Sequence, residues 1–419
     1  MTLPITPRRL SPLLMWFMVC LLASCGGGGS SSAPTAPTVS GPSVSGANVQ
    51  ALRVGSGPAG LSIRVVNMLY TSVRLCVPGT QTCQTIDHIL VDTGSTGLRL
   101  LNSVVTLPLP NVQEGGKDLY NCVQFLDQRY MWGPVVSADL HMGGPQLDGE
   151  KAANLRIQLT GSASAPAAPS VCAGTGSSLA DSVNTLGANG ILGVGPDPQD
   201  CGVGCESNAA NGYYHVDNRD GTVTGTVLSR PEQLQQPVSQ FAVNRNGTVI
   251  SLPNLATTGA ASVSGVMVFG IGTQANNTPG TVHVLAPKAN GYFSTAFQGR
   301  TLSKGFIDSG SNGWFFGAND SPSLPTCTTA SPWYCPTTSQ TLQTVNRGLS
   351  DDPSTVNFSI ANAEQLFLNP ATYASSNLGG SVGDDTVFGF GLPFFYGRQV
   401  YTAIEGQATP LGTGPYVAY

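Results

Sequence analysis

Charge is scarce in this chain. Only 10% of its residues are Asp, Glu, Lys or Arg, and the formal net charge is −5. Long exposed helices need charged faces, so so little charge argues against a helical protein. No basic run interleaved with aromatics occurs, which excludes an obvious nucleic-acid surface, and no nucleic-acid partner is expected. Histidine numbers four, without metal-ligand spacing. No internal period of 20–50 residues is found, so a solenoid or propeller is not indicated. No apolar run is long enough for a comfortable transmembrane helix.

Glycine and proline are abundant instead, at 52 and 30 among 419 residues. That composition, with many short alternating runs, predicts an all-β fold of strands and turns with few short helices. The chain is long enough for two lobes. Short helical patterns occur near residues 231–240 and 361–367. FAVNRNGTVISL (241–252) sets Asn246-Gly247 between two strand-like runs and predicts a hairpin.

The N-terminus reads as a targeting signal. Arg8 and Arg9 precede the apolar run LSPLLMWFMVCLLA (10–23). It ends in LLASC, which resembles the bacterial lipobox and implies cleavage before Cys25 and lipidation of its thiol. Residues 1–24 would then be a lipoprotein signal peptide. Residues 25–55, rich in Gly, Ser and Pro, read as a disordered tether, with ordered structure expected from about Leu61. Gly26 after the cysteine implies the outer membrane. The expected location is the bacterial cell envelope, facing periplasm or surface, with the membrane as partner through Cys25.

Export makes the cysteines legible. Of ten, Cys20 and Cys25 belong to the signal and anchor. The remaining even number suggests disulfides in an oxidising compartment. Spacing suggests Cys76 with Cys83, Cys201 with Cys205 and Cys327 with Cys335, leaving Cys122 with Cys172. CGVGC (201–205) also has the shape of a metal or redox motif, but no second ligand pair lies nearby. Neither metal nor cofactor is expected.

Two segments carry the chemistry. HILVDTGSTGLRLL (88–101) and GFIDSGSNGWFF (305–316) each run from apolar residues into Asp, a hydroxyl residue, Gly and Ser, and return to apolar residues. A lone Asp-Thr-Gly or Asp-Ser-Gly is an ordinary turn. Repetition in one context is more informative. A carboxylate at a buried strand end is costly unless stabilised. Two such turns face to face would make their carboxylates share one proton. The ionised member can then take a proton from water while the other donates to a substrate carbonyl.

These segments resemble the two active-site loops of the pepsin-like aspartic proteases. NGILGVGP (189–196) and VFGFGLPFFYGRQVYTAI (387–404) resemble the segments that support those loops, and GVMVFGIG and GTVHVLAPKANGYFSTAF resemble hairpins preceding the second loop. The likeness is closer still to a family of bacterial lipoproteins of unknown function with VDTGSTGLR-type loops. It implies a two-lobed pepsin-like fold, with an N-terminal lobe over 56–238, a C-terminal lobe over 239–419 and a cleft between them. Asp92 and Asp308 would be the catalytic pair. Thr93 and Ser309 would brace the loops, Gly94 and Gly310 would let backbone N–H groups approach the carboxylates, and Ser95 and Ser311 would hydrogen-bond the outer carboxylate oxygens. The family's covering flap would lie within CVQFLDQRYMWGPVVSADLHMGG (122–144), where Tyr130 and Trp132 are either flap residues or plain strand residues.

The expected function is an envelope-anchored aspartic endopeptidase acting on a peptide or protein substrate. The alternative is a non-catalytic lipoprotein of the same fold that holds a peptide or glycan in the cleft.

Overall fold

The computed structural model describes residues 36–419 apart from 43, 175, 210 and 318–323. The signal segment and Cys25 lie outside the described residues. Among the described residues, no helix is long and apolar enough to cross a membrane.

The protein is all-β. The first half closes on itself. Strand Leu69–Cys76 pairs with Cys83–Asp92, which pairs in parallel with Gly190–Val194. That strand pairs with Thr96–Leu101, then come Glu150–Thr160 and Arg129–Met142, and the last returns to Leu69–Cys76. This ring encloses Val73, Ile89, Val91, Leu98, Leu100, Leu140, Ile157 and Leu192. The alternating pattern of each strand sends one face into that core.

The second half carries a seven-stranded sheet. Its order is Pro353–Ile360, Gln340–Arg347, Phe293–Phe297, Arg300–Ile307, Val387–Phe390, Trp314–Gly317, Gly379–Val382. Its core is aromatic: Phe297, Phe316, Phe358 and Phe388 lie within ring-contact distance of one another.

The same three-strand unit occurs in both halves. Cys83–Asp92 and Thr96–Leu101 are separated by Gly190–Val194, parallel to one and antiparallel to the other. Arg300–Ile307 and Trp314–Gly317 are separated likewise by Val387–Phe390. The inserted strands are the GILGV and VFGF segments. Each holds its aspartate strand from the side, leaving the aspartate at the strand's end.

Several expectations need correction. Residues up to 55 are not all tether. Thr38–Val39 pairs with residues 262–263, and Val49–Val54 pairs along six residues of Ser262–Phe269. Alternation in VQALRV sends Leu52 and Val54 into the main core, while Val49 is buried on the other face, a pattern diluted to the eye by the surrounding Gly, Ser and Pro. Order therefore begins well before Leu61. One sheet also runs across residue 238. Gly247–Ser251, Ser262–Phe269, Gln399–Ala403 and Tyr416–Ala418 join Val49–Val54 and Leu69–Cys76 in one continuous sheet.

The hairpin expected at Asn246-Gly247 is absent, because residues 241–245 form no strand. Asn246 instead spends its side chain on Ile271 and Ala408 backbone, and Gly247 opens a strand paired with Ala403. The helical patterns become 3₁₀ turns at Arg230–Glu232 and Pro237–Gln240 and a short helix at Ala363–Phe367. The four disulfides Cys76–Cys83, Cys122–Cys172, Cys201–Cys205 and Cys327–Cys335 are all present.

Candidate active site

Asp92 ends its strand and Asp308 follows its own, each handed to a tight turn. The first turn supplies Asp92 with two donors: Gly94 N–H to Oδ1 at 2.9 Å and Ser95 Oγ to Oδ2 at 2.5 Å. The second repeats this for Asp308, with Gly310 N–H to Oδ1 at 2.8 Å and Ser311 Oγ to Oδ2 at 2.6 Å. Each carboxylate is thus solvated by its own loop, which offsets part of the cost of burying it.

The loops grip each other through the residues after the aspartates. Thr93 N–H donates to Ser309 Oγ at 3.1 Å, and Ser309 N–H donates to Thr93 Oγ1 at 2.9 Å. Ser309 Oγ in turn donates to the Val91 carbonyl at 2.8 Å. Both residues are buried. This brace brings each loop against the carboxyl of the other, close enough for the charge of Asp92 to act on Asp308.

The glycines are required by that approach. A Cβ on Gly94 would stand 2.8 Å from Asp308 Cγ, and one on Gly310 would stand 2.5 Å from Asp92 Oδ1. Each glycine faces the carboxyl of the opposite loop, so any side chain there would wedge the pair apart. The site is open to water on one side, since Gly94 is exposed while Asp92 is buried and Asp308 half-buried.

Burial is the largest cause pushing the Asp308 carboxyl well above the usual carboxylate range, followed by the negative charge of Asp92; Ser311 and Gly310 pull the other way. The pair therefore holds a proton at pH values where an exposed aspartate has lost it.

All eight loop residues named from the sequence thus converge: Asp92, Thr93, Gly94, Ser95, Asp308, Ser309, Gly310 and Ser311. The two flap candidates do not. A hairpin does occupy the expected place, made by Lys117–Gln124 and Arg129–Met142. Trp132 lies on its outer face, 3% exposed, between Tyr120 and Tyr214, with Nε1 donating to the Pro166 carbonyl. Tyr130 packs on that same outer cluster. Strand alternation gives the reason: residues 130 and 132 point one way and Met131 the other. The opposite face carries Val123, Phe125 and Met131, packed with Tyr70, Leu90 and Ile191 beside the first aspartate strand.

Sequence reasoning also passed over Arg99. It is 2% exposed inside the run GLRLL. Its guanidinium donates to the Thr96 carbonyl and to Asp200 Oδ2 at 2.9 Å. Asp200 also accepts from Asn121 and Tyr213, so the first loop is tied to the hairpin strand through buried polar groups. Burial raises the Asp200 carboxyl in spite of Arg99. A lone cation in an apolar run demands a buried anion, and that was the available signal.

Among the described residues, the one grouping with metal-ligand proximity is Cys327, Cys335 and Glu364, and its cysteines are joined in a disulfide. It therefore offers no thiolates.

The chain belongs to the family described as "Protein of unknown function (DUF3443)", whose model matches residues 44–419. No curated protein matches the chain.

Proposed function

We propose that this family member is an aspartic endopeptidase of pepsin-like fold, anchored to the bacterial envelope by a lipid on Cys25. The observation that carries the reading is the pair Asp92 and Asp308, brought together by the reciprocal Thr93–Ser309 brace and each bonded by its own Gly and Ser. The repeated three-strand unit behind each aspartate supports the two-lobed fold.

The chemistry follows from one shared proton. A water on the open side of the pair loses its proton to the ionised carboxylate as its oxygen attacks the peptide carbonyl carbon. The proton held by Asp308 passes to the carbonyl oxygen, giving a neutral tetrahedral diol. Collapse re-forms the carbonyl, breaks the C–N bond and delivers a proton to the leaving amine. The pair ends with the one proton it began with. Neither metal nor covalent intermediate is needed.

The test is incubation of the protein with a peptide mixture across acid to neutral pH, with and without pepstatin, beside Asp92→Asn and Asp308→Asn. Each variant is expected to lose at least about a hundredfold in turnover, the scale of a general acid–base contribution. Wild-type turnover in either variant removes the reading.

A second reading, a non-catalytic lipoprotein binding a peptide or glycan in the cleft, is favoured by the hairpin, whose Tyr130 and Trp132 turn away from the pair. It requires equal ligand binding by wild type and Asp92→Asn with turnover in neither.

A further inference from the structure

Residues 61–68 belong by sequence to the first half, between Val49–Val54 and Leu69–Cys76. Ser62, Val65 and Met68 hold the segment to that half, through Asn184 and the cluster of Leu90, Leu186 and Ile191, while Arg64, Val66 and Asn67 reach into the second half. Asn67 is fully buried in the left-handed region, with φ 55. Its Nδ2 donates to the Asn312 carbonyl at 2.9 Å and the Ser375 carbonyl at 2.8 Å, and its Oδ1 accepts from Ser375 N–H at 2.8 Å and Tyr396 OH at 3.0 Å. A side-chain amide has two donors and an oxygen with two acceptor sites, so its capacity is spent. Its backbone N–H goes to the Tyr373 carbonyl. Asn312 lies in the turn that carries Asp308, four residues on.

Nearer the surface, Arg64 repeats the attachment. Its guanidinium donates to the carbonyls of Phe367, Asn369 and Thr372, each at 2.6 Å, and lies 5.8 Å from the Phe367 ring centroid. Between the two, Val66 is buried in a cluster with Phe315, Trp333 and Leu378, and Leu126 of the hairpin tip packs against the same cluster. From the buried Asn67 to the half-buried Arg64, and up to the hairpin tip, one side of the second aspartate turn is bonded across.

An extended peptide threading a groove advances about 3.3 Å per residue and needs both ends open. We propose that residues 61–68 and the tip of the hairpin form a fixed end wall, so that the groove over the carboxyl pair is closed at one end and receives its substrate by a chain terminus. This rests on the peptidase reading and narrows it from an endopeptidase to a peptidase that cuts a few residues from a free end, so that internal bonds of a chain without ends are excluded. The Asn67 amide does not titrate and the Arg64 guanidinium stays charged, so the selectivity is expected at every pH where the protein is folded.

The experiment compares a linear peptide of roughly thirty residues with its head-to-tail cyclised form, long enough for an extended stretch in either. Both are given to the full-length chain in detergent, and both are titrated onto its Asp92→Asn variant. Expected are products cut near one terminus of the linear form, cyclic turnover at least tenfold slower, and linear binding to Asp92→Asn at least tenfold tighter than cyclic. Arg64→Ala and, separately, Leu126→Ala are expected to raise cyclic cleavage or binding towards the linear value. Equal handling of the two forms by wild type, or cuts spread through the linear peptide, overturns the end wall while leaving the peptidase reading standing. Linear-selective binding without turnover removes the peptidase reading and leaves the wall.

Discussion

Thr93 and Ser309, 216 residues apart, each donate a backbone N–H to the other's hydroxyl. The spacing of the two carboxyls depends on this exchange, so its loss should register in stability and in function together. Thr93→Val keeps the shape and leaves the Ser309 N–H buried without an acceptor, a cost of about 1–3 kcal/mol. Ser309→Ala should cost a similar amount. In urea denaturation the double variant should cost less than the sum of the singles, with a coupling of about 0.5–3 kcal/mol for residues sharing one network. Strict additivity would show that the brace is not a unit.

The pH dependence of stability should run opposite to that of a salt-bridged carboxylate. Asp308 has a folded pKa raised above its unfolded value, chiefly by burial and then by Asp92. Its contribution is therefore fully present below the unfolded value of about 3.9 and is lost as pH rises through the raised folded value. Asp308→Asn removes that loss. Thermal unfolding of the variant should match wild type in acid and exceed it at neutral pH, by roughly 2–4 °C per kcal/mol relieved. Turnover of the wild type should fall over the same upper range, as the shared proton leaves. A variant equally destabilised at both pH values would contradict the assignment.

Arg99 and Asp200 form a buried pair, and the two are not expected to matter equally alone and together. Arg99→Met strands the Asp200 carboxylate and should cost about 3–5 kcal/mol. Arg99→Met with Asp200→Leu should recover at least half of that, since the desolvated charge is gone. Chemical denaturation of the three variants decides it.

Membrane attachment should depend on one thiol. Cys25→Ser is expected to move the protein from the membrane fraction to the soluble fraction, because a lipid anchor has no substitute in a hydroxyl. Unchanged fractionation removes the lipoprotein reading.

The site was more legible in the sequence than the architecture around it. Asp92 and Asp308 stood out because their loops repeat a full pattern of apolar strand, carboxylate, hydroxyl, glycine and serine, and each element of that pattern has a local physical role. The four disulfides were legible because three close short loops. Val49–Val54 was not, since a six-residue strand beside a Gly/Ser/Pro tract carries little periodic signal. Asn67 was invisible for a different reason: its partners lie 245 to 329 residues away and its backbone conformation leaves no trace in composition. Tyr130 and Trp132 could be read as flap or as plain strand residues, because strand alternation fixes which residues share a side and not which side meets the cleft; they pack as strand residues.

The strand Val49–Val54 also sets a timetable. Only Arg53 and Val54 of it pair with the following strand Leu69–Cys76, while the six-residue ladder is made with Ser262–Phe269. At a synthesis rate of roughly 5–20 residues per second, the strand emerges about 10–40 s before its principal neighbour exists. Throughout that interval a nearly bare edge of alternating Val and Leu is available to any other extended chain. Contacts so distant in sequence also slow the final closure, because the intervening loop must lose its freedom before the ladder forms. Overproduction should therefore favour aggregates nucleated at residues 49–54. A lysine at outward-facing Ala51 is expected to raise the soluble yield without altering the finished fold.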